Sequence, residues 1–486
     1  MLKLIPQPEI IEYKKGLSKN IVSYKQDAGI ASQGYEIDAD ADGIVISYSD
    51  EKGKFYGQKT VEQIIRQSQF GIPQVHIKDA PKYEYRGFMM DCSRHFFTIG
   101  EIKKYLDTMA DLKLNKFHWH ITDDQGWRIE IKKYPNLTEI GSKRNATRDD
   151  GVEVSGYYMQ DEIKEIVAYA KERFIDVIPE IDMPGHFTAA IASYNYLGCQ
   201  DKSVKVSESF GIHAEIACAG KDSTYEFCKD VLKEVFELFP YKYIHLGGDE
   251  ALKLRWINCP HCQNKMEENN LSNEEQLQGY FMNSMVAFAK EHGKTVINWN
   301  DGLCGGNIDN SVILQYWKES KLGKKVLYSQ SKKGRKIIMS PFYSYYMDYP
   351  YGMTNLKKTY NYDVDKVLDD DVLGLEAPIW TEYVENAKKL EYMVFPRLIA
   401  VAERAWSKQK DYDGFLVRLK EYYNYLDGLE INYASDYNPN KIKGLWQVLR
   451  FFANANDRTN RKNFKLLLLN NKAVKKKYGK KNQVEL

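Results

Sequence analysis

No run of about 18 consecutive apolar residues occurs in the chain, so no segment is expected to cross a bilayer as a helix. Charge of one sign is also missing. The 69 basic and 67 acidic residues leave a formal charge of +2, which gives no whole-molecule field to attract a polyanion and argues against a nucleic-acid partner. Cysteine is scarce. Seven cysteines in 486 residues do not build a disulfide scaffold, and the odd number leaves at least one unpaired in a monomer. The opening MLKLIPQPEI has a short apolar patch broken by Pro6 and Pro8 and no small-residue cleavage region. It does not read as a secretory signal, and the expectation is a cytoplasmic chain; a secreted chain whose leader had been removed would read the same way.

What is present fits a folded protein. Hydrophobic residues make up 43% and charged residues 28%, and the length allows one large domain with smaller additions. The lysine-rich stretch from Lys472 to Lys481 reads as a solvated terminus. Cys259-Pro-His-Cys262 has a spacing that thiolate metal sites use, yet it supplies two ligands where a structural zinc takes four. His261, Cys218 and Cys228 are the nearby additions. The reading adopted is a structural loop with reduced cysteines, with metal binding and a disulfide as the alternatives.

Residues 1–82 are expected to form a small α+β domain, with strands at Ile21–Tyr24, Gly34–Ile37 and Gly43–Ser47 and a helix over Gln58–Gln67. Val61, Ile64 and Ile65 lie on one side of that helix. A unit this short owns little core and should dock on its neighbour. From Tyr85 the rhythm becomes short apolar strands alternating with amphipathic helices, as in repeated βα units. The strand candidates are Gly87–Met90, Lys116–His120, Val177–Glu180, Tyr243–Leu246, Thr295–Asn298, Val312–Gln315, Lys336–Met339 and Val372–Leu375.

Helices are expected over Ile102–Leu112, Asp161–Arg173, Tyr225–Phe239, Glu274–His292, Asn386–Val401 and Tyr412–Leu426. Thr98 and Glu101 form a capping-box pair before the first of these. The resulting expectation is an α/β fold, a (β/α)8 TIM barrel over 83–430 followed by a helical extension over 431–486. An open doubly wound sheet also satisfies the strand pattern. Polar and aromatic residues gather where the strands end, and in a barrel those ends share one mouth.

Five strings then carry a likeness: RGFMMDCSRHF at Arg86–Phe96, KFHWHITDDQGWR at Lys116–Arg128, PEIDMPGH at Pro179–His186, HLGGDE at His245–Glu250 and WTE at Trp380–Glu382. Together they resemble the glycoside hydrolase family 20 β-N-acetylhexosaminidases. The resemblance implies removal of a terminal β-linked N-acetylglucosamine or N-acetylgalactosamine with retention, the substrate's acetamide acting as nucleophile. Glu250 would be the general acid and Asp249 the partner of the acetamide N–H. Tyr346, with Tyr345 as a rival on register, would donate to the acetamide oxygen.

On the same analogy Trp299, Trp317 and Trp380 would wall the sugar, while Arg94, Asp348 and Glu382 would bind its hydroxyls. His120, Asp123, Asp124, Asp182, His186 and His245 would support the catalytic pair. An adjacent Asp-Glu is ordinarily a solvated surface pair, but here two glycines precede it at a strand end, where they permit close backbone passage. The family needs no catalytic metal, so neither metal nor cofactor is expected. Expected partners are N-acetylhexosamine-terminated glycans, and a homodimer stays open. The rival functions are a lacto-N-biosidase and a noncatalytic glycan-binding protein.

Overall fold

The computed structural model describes residues 1–147, 150–368, 371–454 and 457–478. The end of the expected extension, including Lys480 and Lys481, lies outside the described residues.

The first unit is a five-stranded sheet with neighbours in the order Ile10–Ser18, Ile72–Asp79, Tyr35–Ala39, Ile44–Tyr48, Val22–Gln26. Alternation sets its inner face: Tyr35, Ile37, Ala39, Ile44 and Ile46 are buried under the helix Glu51–Gln67. That helix begins seven residues earlier than its apolar stripe suggests. Asp50 caps it by accepting from Gly53 N at 2.8 Å, and Gly53 and Gly57 let it lie close against the sheet. A Cβ at Gly57 would sit 2.7 Å from Ile46.

Two strands were not anticipated. Ile10–Ser18 is an edge strand with mostly exposed side chains, which removes the alternation that betrays a strand. Ile72–Asp79 pairs with it and ends in buried Asp79, which accepts from Tyr35 Oη at 2.5 Å and from Trp406 Nε1 at 2.9 Å and lies 3.2 Å from Lys113 Nζ. Trp406 and Lys113 belong to the second unit, so this carboxylate helps fasten the sheet to its neighbour.

The second unit is a closed barrel of eight parallel strands: Tyr85–Asp91, Lys116–His120, Asp176–Glu180, Tyr243–His245, Thr295–Trp299, Ile313–Tyr316, Ile337–Met339 and Val372–Ile379. Closure pairs the first strand with the last, Gly374 opposite Tyr85. A Cβ at Gly374 would lie 1.7 Å from the Tyr85 carbonyl oxygen, so the seam requires glycine there.

Helices Ile99–Asp111, Gln160–Lys171, Asp222–Leu238, Glu274–Glu291 and Lys321–Ser331 occur in the crossovers between strands. Thr98 and Glu101 form the reciprocal cap expected of them. The helix expected over Asn386–Val401 is instead two, Ala387–Val394 and Arg397–Trp406. Pro396 separates them because it has no N–H to continue the ladder and its ring crowds the preceding turn. Beyond Tyr412–Gly428, helices Lys441–Asn454 and Asp457–Tyr478 complete the described chain. In the last of these, Lys477 reaches the buried Glu274 at 2.6 Å.

The barrel interior changes character along its axis. Tyr85, Ile178, Ile297, Ile313 and Ile338 form an apolar layer. Two residues further along several strands the inward positions become Glu180, Trp299 and Gln315, met by His118, His120 and His245 and by Glu376. Gly87 leaves the space that Glu376 fills, since a Cβ there would meet its Oε2 at 2.7 Å.

Candidate active site

Barrel strand 4 ends at His245 and passes into Gly247, Gly248, Asp249 and Glu250. Gly247, Gly248 and Glu250 all have positive φ, of 61°, 93° and 48°, a turn that two glycines make accessible and that strains Glu250 by about 1 kcal/mol. The turn is held from outside. Asn298 Nδ2 donates to Gly247 O at 3.0 Å, Gln278 Nε2 to Gly248 O at 2.6 Å, and Gly248 N to Asp182 Oδ1 at 3.1 Å. The turn thereby presents Asp249 and Glu250 side by side at the mouth. Asp249 is 7% exposed and the Glu250 side chain 26%.

Nine of the expected residues line one cleft of about 160 Å³: Arg94, His186, Asp249, Glu250, Trp317, Tyr346, Asp348, Trp380 and Glu382. Phe342 and Tyr349 also line it and were not anticipated. Tyr346 is stacked against Trp317, with centroids 5.9 Å apart and planes at 22°, while Trp380 lies 6.4 Å from it on another side. Tyr345 is not among the residues lining the cleft, and its ring packs against that of Tyr362. Trp299 sits one layer deeper than a wall. It is fully buried, donates to Glu180 Oε1 at 2.8 Å and has its ring 5.9 Å from that of Trp380.

His186 joins the turn carrying Asp249 and Glu250 to the segment that follows the second barrel strand. Its Nδ1 lies 3.1 Å from Asp123 Oδ1 and 3.3 Å from Asp124 Oδ2, and its Nε2 lies 3.5 Å from Asp249 Oδ2 and 3.7 Å from Glu250 Oε2. Burial opposes its charge, but Asp123, Asp124 and Asp249 outweigh that and hold its pKa well above the ordinary value. His186 therefore bridges Asp123 and Asp124 on one side and Asp249 and Glu250 on the other, an arrangement that favours its charged form. Asp182, beside the same turn, is pushed well up by burial and by Asp249.

Arg94 is caged. Its guanidinium lies 3.2 Å from Asp91, 2.8 Å from Asp123 and 3.7 Å from Glu382, with the Trp380 ring centroid at 4.8 Å. Burial works against the charge and the three carboxylates prevail, so its pKa is raised. Burial raises Glu382 despite Arg94. It raises Asp348 strongly, with Glu382 adding to the effect. Among the described residues, Asp348 Oδ1 and Asp249 Oδ1 are buried without a hydrogen-bond partner. Such atoms are costly unless a bound group satisfies them.

Beneath the cleft lies a network that the strand pattern did not reveal as a unit. Glu180 is 2.5 Å from His120, 2.8 Å from His245 and 3.1 Å from His118, and His118 is 2.8 Å from Glu376. Burial would lower both His118 and His120, yet Glu376 and Glu180 lift the former to about 9, and Glu180 and Asp123 lift the latter to about 10. Asp301 was also missed as a site residue. It accepts from Glu250 N at 3.3 Å and from Trp317 Nε1 at 3.0 Å, linking the turn to the aromatic wall.

A closed (β/α)8 barrel with paired carboxylates and an aromatic cleft at the strand C-termini defines a glycoside-hydrolase type of architecture. Residues 83–409 match Glycosyl hydrolase family 20, catalytic domain, and residues 7–80 match its domain 2. The chain belongs to glycosyl hydrolase family 20. A β-hexosaminidase of Porphyromonas gingivalis is 39% identical over 83% of this chain, which spans only 55% of that relative. One from Akkermansia muciniphila is 31% identical over 87% of this chain and 90% of its own length. Among solved structures, an exo-β-N-acetylglucosaminidase of Vibrio harveyi in complex with N-acetylglucosamine superposes with a TM-score of 0.81 at 27% identity, covering 90% of this chain and 79% of that one. A β-N-acetylhexosaminidase of Bacteroides fragilis gives 0.80 at 30% identity, covering 89% and 96%. Among the described residues, no helix is long and apolar enough to cross a membrane.

Proposed function

We propose that this chain is a retaining exo-β-N-acetylhexosaminidase that removes a terminal β-linked N-acetylglucosamine or N-acetylgalactosamine with the help of the substrate's own acetamide. The observation that carries the reading is the strained turn that sets Asp249 and Glu250 together, with Tyr346 on the same cleft. In this reading the acetamide oxygen attacks the anomeric carbon as the bond from that carbon to the leaving oxygen breaks. Glu250 gives its proton to the departing oxygen. Asp249 accepts from the acetamide N–H while positive charge builds on the oxazolinium ring, and Tyr346 Oη donates to the acetamide oxygen and aims it. Water then opens the ring at the anomeric carbon, its proton returning to Glu250.

The stacked Trp317 and Tyr346 and the neighbouring Trp380 suit the acetyl methyl and the apolar face of the sugar. Trp299 backs them from below. Arg94, Asp348 and Glu382 take the hydroxyls, and their convergence on one end of the cleft supports removal of single terminal units. His120, Asp123, Asp124, Asp182, His186 and His245 hold the reacting groups in place. We also take residues 1–82, 83–430 and 431–486 as small domain, catalytic barrel and helical extension, a division supported by the matched limits 7–80 and 83–409.

Parallel hydrolysis of an aryl β-N-acetylglucosaminide and an aryl β-lacto-N-bioside tests the proposal. Turnover of the monosaccharide conjugate, blocked by the corresponding thiazoline, is the expected result. Release from the disaccharide conjugate alone would replace the assignment by lacto-N-biosidase.

A further inference from the structure

Away from the cleft, four of the seven cysteines converge. Cys199, Cys218, Cys259 and Cys262 bring their sulfurs within 4.8 Å of one another, although they come from three separate stretches of the chain. The separations are 3.7 Å for Cys218–Cys262, 3.8 Å for Cys218–Cys259 and 4.0 Å for Cys199–Cys262. A tetrahedral ion with metal–sulfur bonds of about 2.3 Å sets its thiolates about 3.8 Å apart. A disulfide would need about 2.05 Å. The observed spacing is that of the coordination tetrahedron.

Local structure supports a built site. Cys259 and Cys262 occupy the N-cap and first turn of the helix Pro260–Glu268. Opposite them, the segment carrying Cys218 is fixed by Cys218 N donating to Leu197 O at 2.8 Å and by Trp256 Nε1 donating to Ala217 O at 2.9 Å. Gly220 permits the approach, because a Cβ there would lie 2.1 Å from the His261 carbonyl carbon. Cys218 and Cys262 are fully buried and Cys259 is 3% exposed, so three of the four thiols are screened from bulk solvent, and the half-buried Cys199 closes the group on its outer side.

We propose that Cys199, Cys218, Cys259 and Cys262 bind one structural zinc ion as a closed tetrathiolate. Four sulfur ligands in tetrahedral array suit zinc and leave no open position for chemistry. The expectation of a loop with unengaged, reduced cysteines is thereby revised, since the two ligands missing from Cys259-Pro-His-Cys262 are supplied from 41 and 60 residues upstream of Cys259. The ion would cross-link two loops of the barrel mouth. One follows the third strand and carries Asp182 and His186; the other follows the fourth and carries Asp249 and Glu250. Its role is to fix one loop against the other, independently of which glycan is cleaved.

The test is elemental analysis of the full chain purified under reducing conditions without chelator. About one zinc per chain is expected, falling about tenfold or more in Cys218→Ser and in Cys262→Ser and unchanged in Cys228→Ser, whose thiol lies outside the group. Should the serine variants fail to fold, titration of the wild-type protein with an organomercurial in the presence of a zinc indicator gives an independent reading, with zinc released as four thiols react. Exchange for cobalt should produce the intense visible bands of a tetrahedral tetrathiolate. Wild-type protein free of metal, with its thiols free or joined as disulfides in a peptide map, would overturn the proposal, as would zinc retained by both serine variants.

Discussion

Replacing Glu180 by glutamine should destabilise the barrel before it alters any substrate contact. Glu180 is fully buried and faces four groups on its two oxygens: His118 and His120 at Oε2, and His245 and Trp299 Nε1 at Oε1. An amide in its place turns one oxygen into a donor, so whichever way it is oriented one pair of neighbours meets a donor instead of an acceptor. Removing one member of a buried charge pair costs about 3–5 kcal/mol. The rise of the His118 pKa from 6.5 to about 9 gives a similar scale, on the order of 3 kcal/mol, shared between Glu376 and Glu180.

The pH dependence has a definite sign. The folded pKa values of His118 and His120, about 9 and about 10, lie above the unfolded value. Their stabilisation is complete below about 6.5 and is lost as pH rises through about 9 to 10. Unfolding midpoints in urea for wild type and Glu180→Gln, measured at pH 7 and pH 10, read both effects. The variant should start several kcal/mol lower at neutral pH and lose less than wild type on going to alkaline pH. A variant within about 0.5 kcal/mol of wild type at pH 7, or equal losses in the two proteins, would refute the account of the network.

Three further predictions concern the mouth. Glu250→Gln should slow substrates with poor leaving groups far more than those with good ones, whereas Asp249→Asn and Tyr346→Phe should cost about 10²–10³-fold in kcat even on activated aryl glycosides; a leaving-group series separates these behaviours. Arg94→Lys keeps the charge but loses the planar fork held between Asp91, Asp123 and Glu382, and kcat/KM should fall about 10–100-fold, corresponding to a loss of about 1.5–3 kcal/mol. Gly247→Ala places a Cβ 1.7 Å from Asp182 Oδ1 at a φ of 61°; turnover should collapse while circular dichroism retains the barrel.

Much of this architecture was legible because each barrel strand is a short apolar run between amphipathic helices. The candidate site rests on the family likeness of five strings, and the fold brings nine of the residues so named to one cleft at the strand ends. What escaped notice has physical causes. Lys116–His120 carries its histidines two residues apart, so His118 and His120 point inward together while Phe117 and Trp119 face the surrounding helices. That period of two was available in the letters, but histidine on a strand reads as polar rim, and its burial depends on Glu180 and Glu376, which lie 60 and 258 residues away from their partners His120 and His118. The helix start at Glu51 was hidden by two glycines whose role is close packing. The family analogy places Trp299 with Trp317 and Trp380 in the wall, whereas its inward position, two residues past Ile297, puts it in the floor.

Asp123 contacts Arg94 and His120 through one oxygen and His186 through the other. Arg94 lines the cleft beside Glu382, and His186 lies close to both Asp249 and Glu250. An engineer who retunes sugar preference by altering Arg94 therefore also changes the field acting on His186. On the proposed assignment of Arg94 and His186, selectivity and the pH range of turnover would be geared to each other through a single side chain, and a variant library that varies one while holding the other fixed would have to change both sides of Asp123 at once.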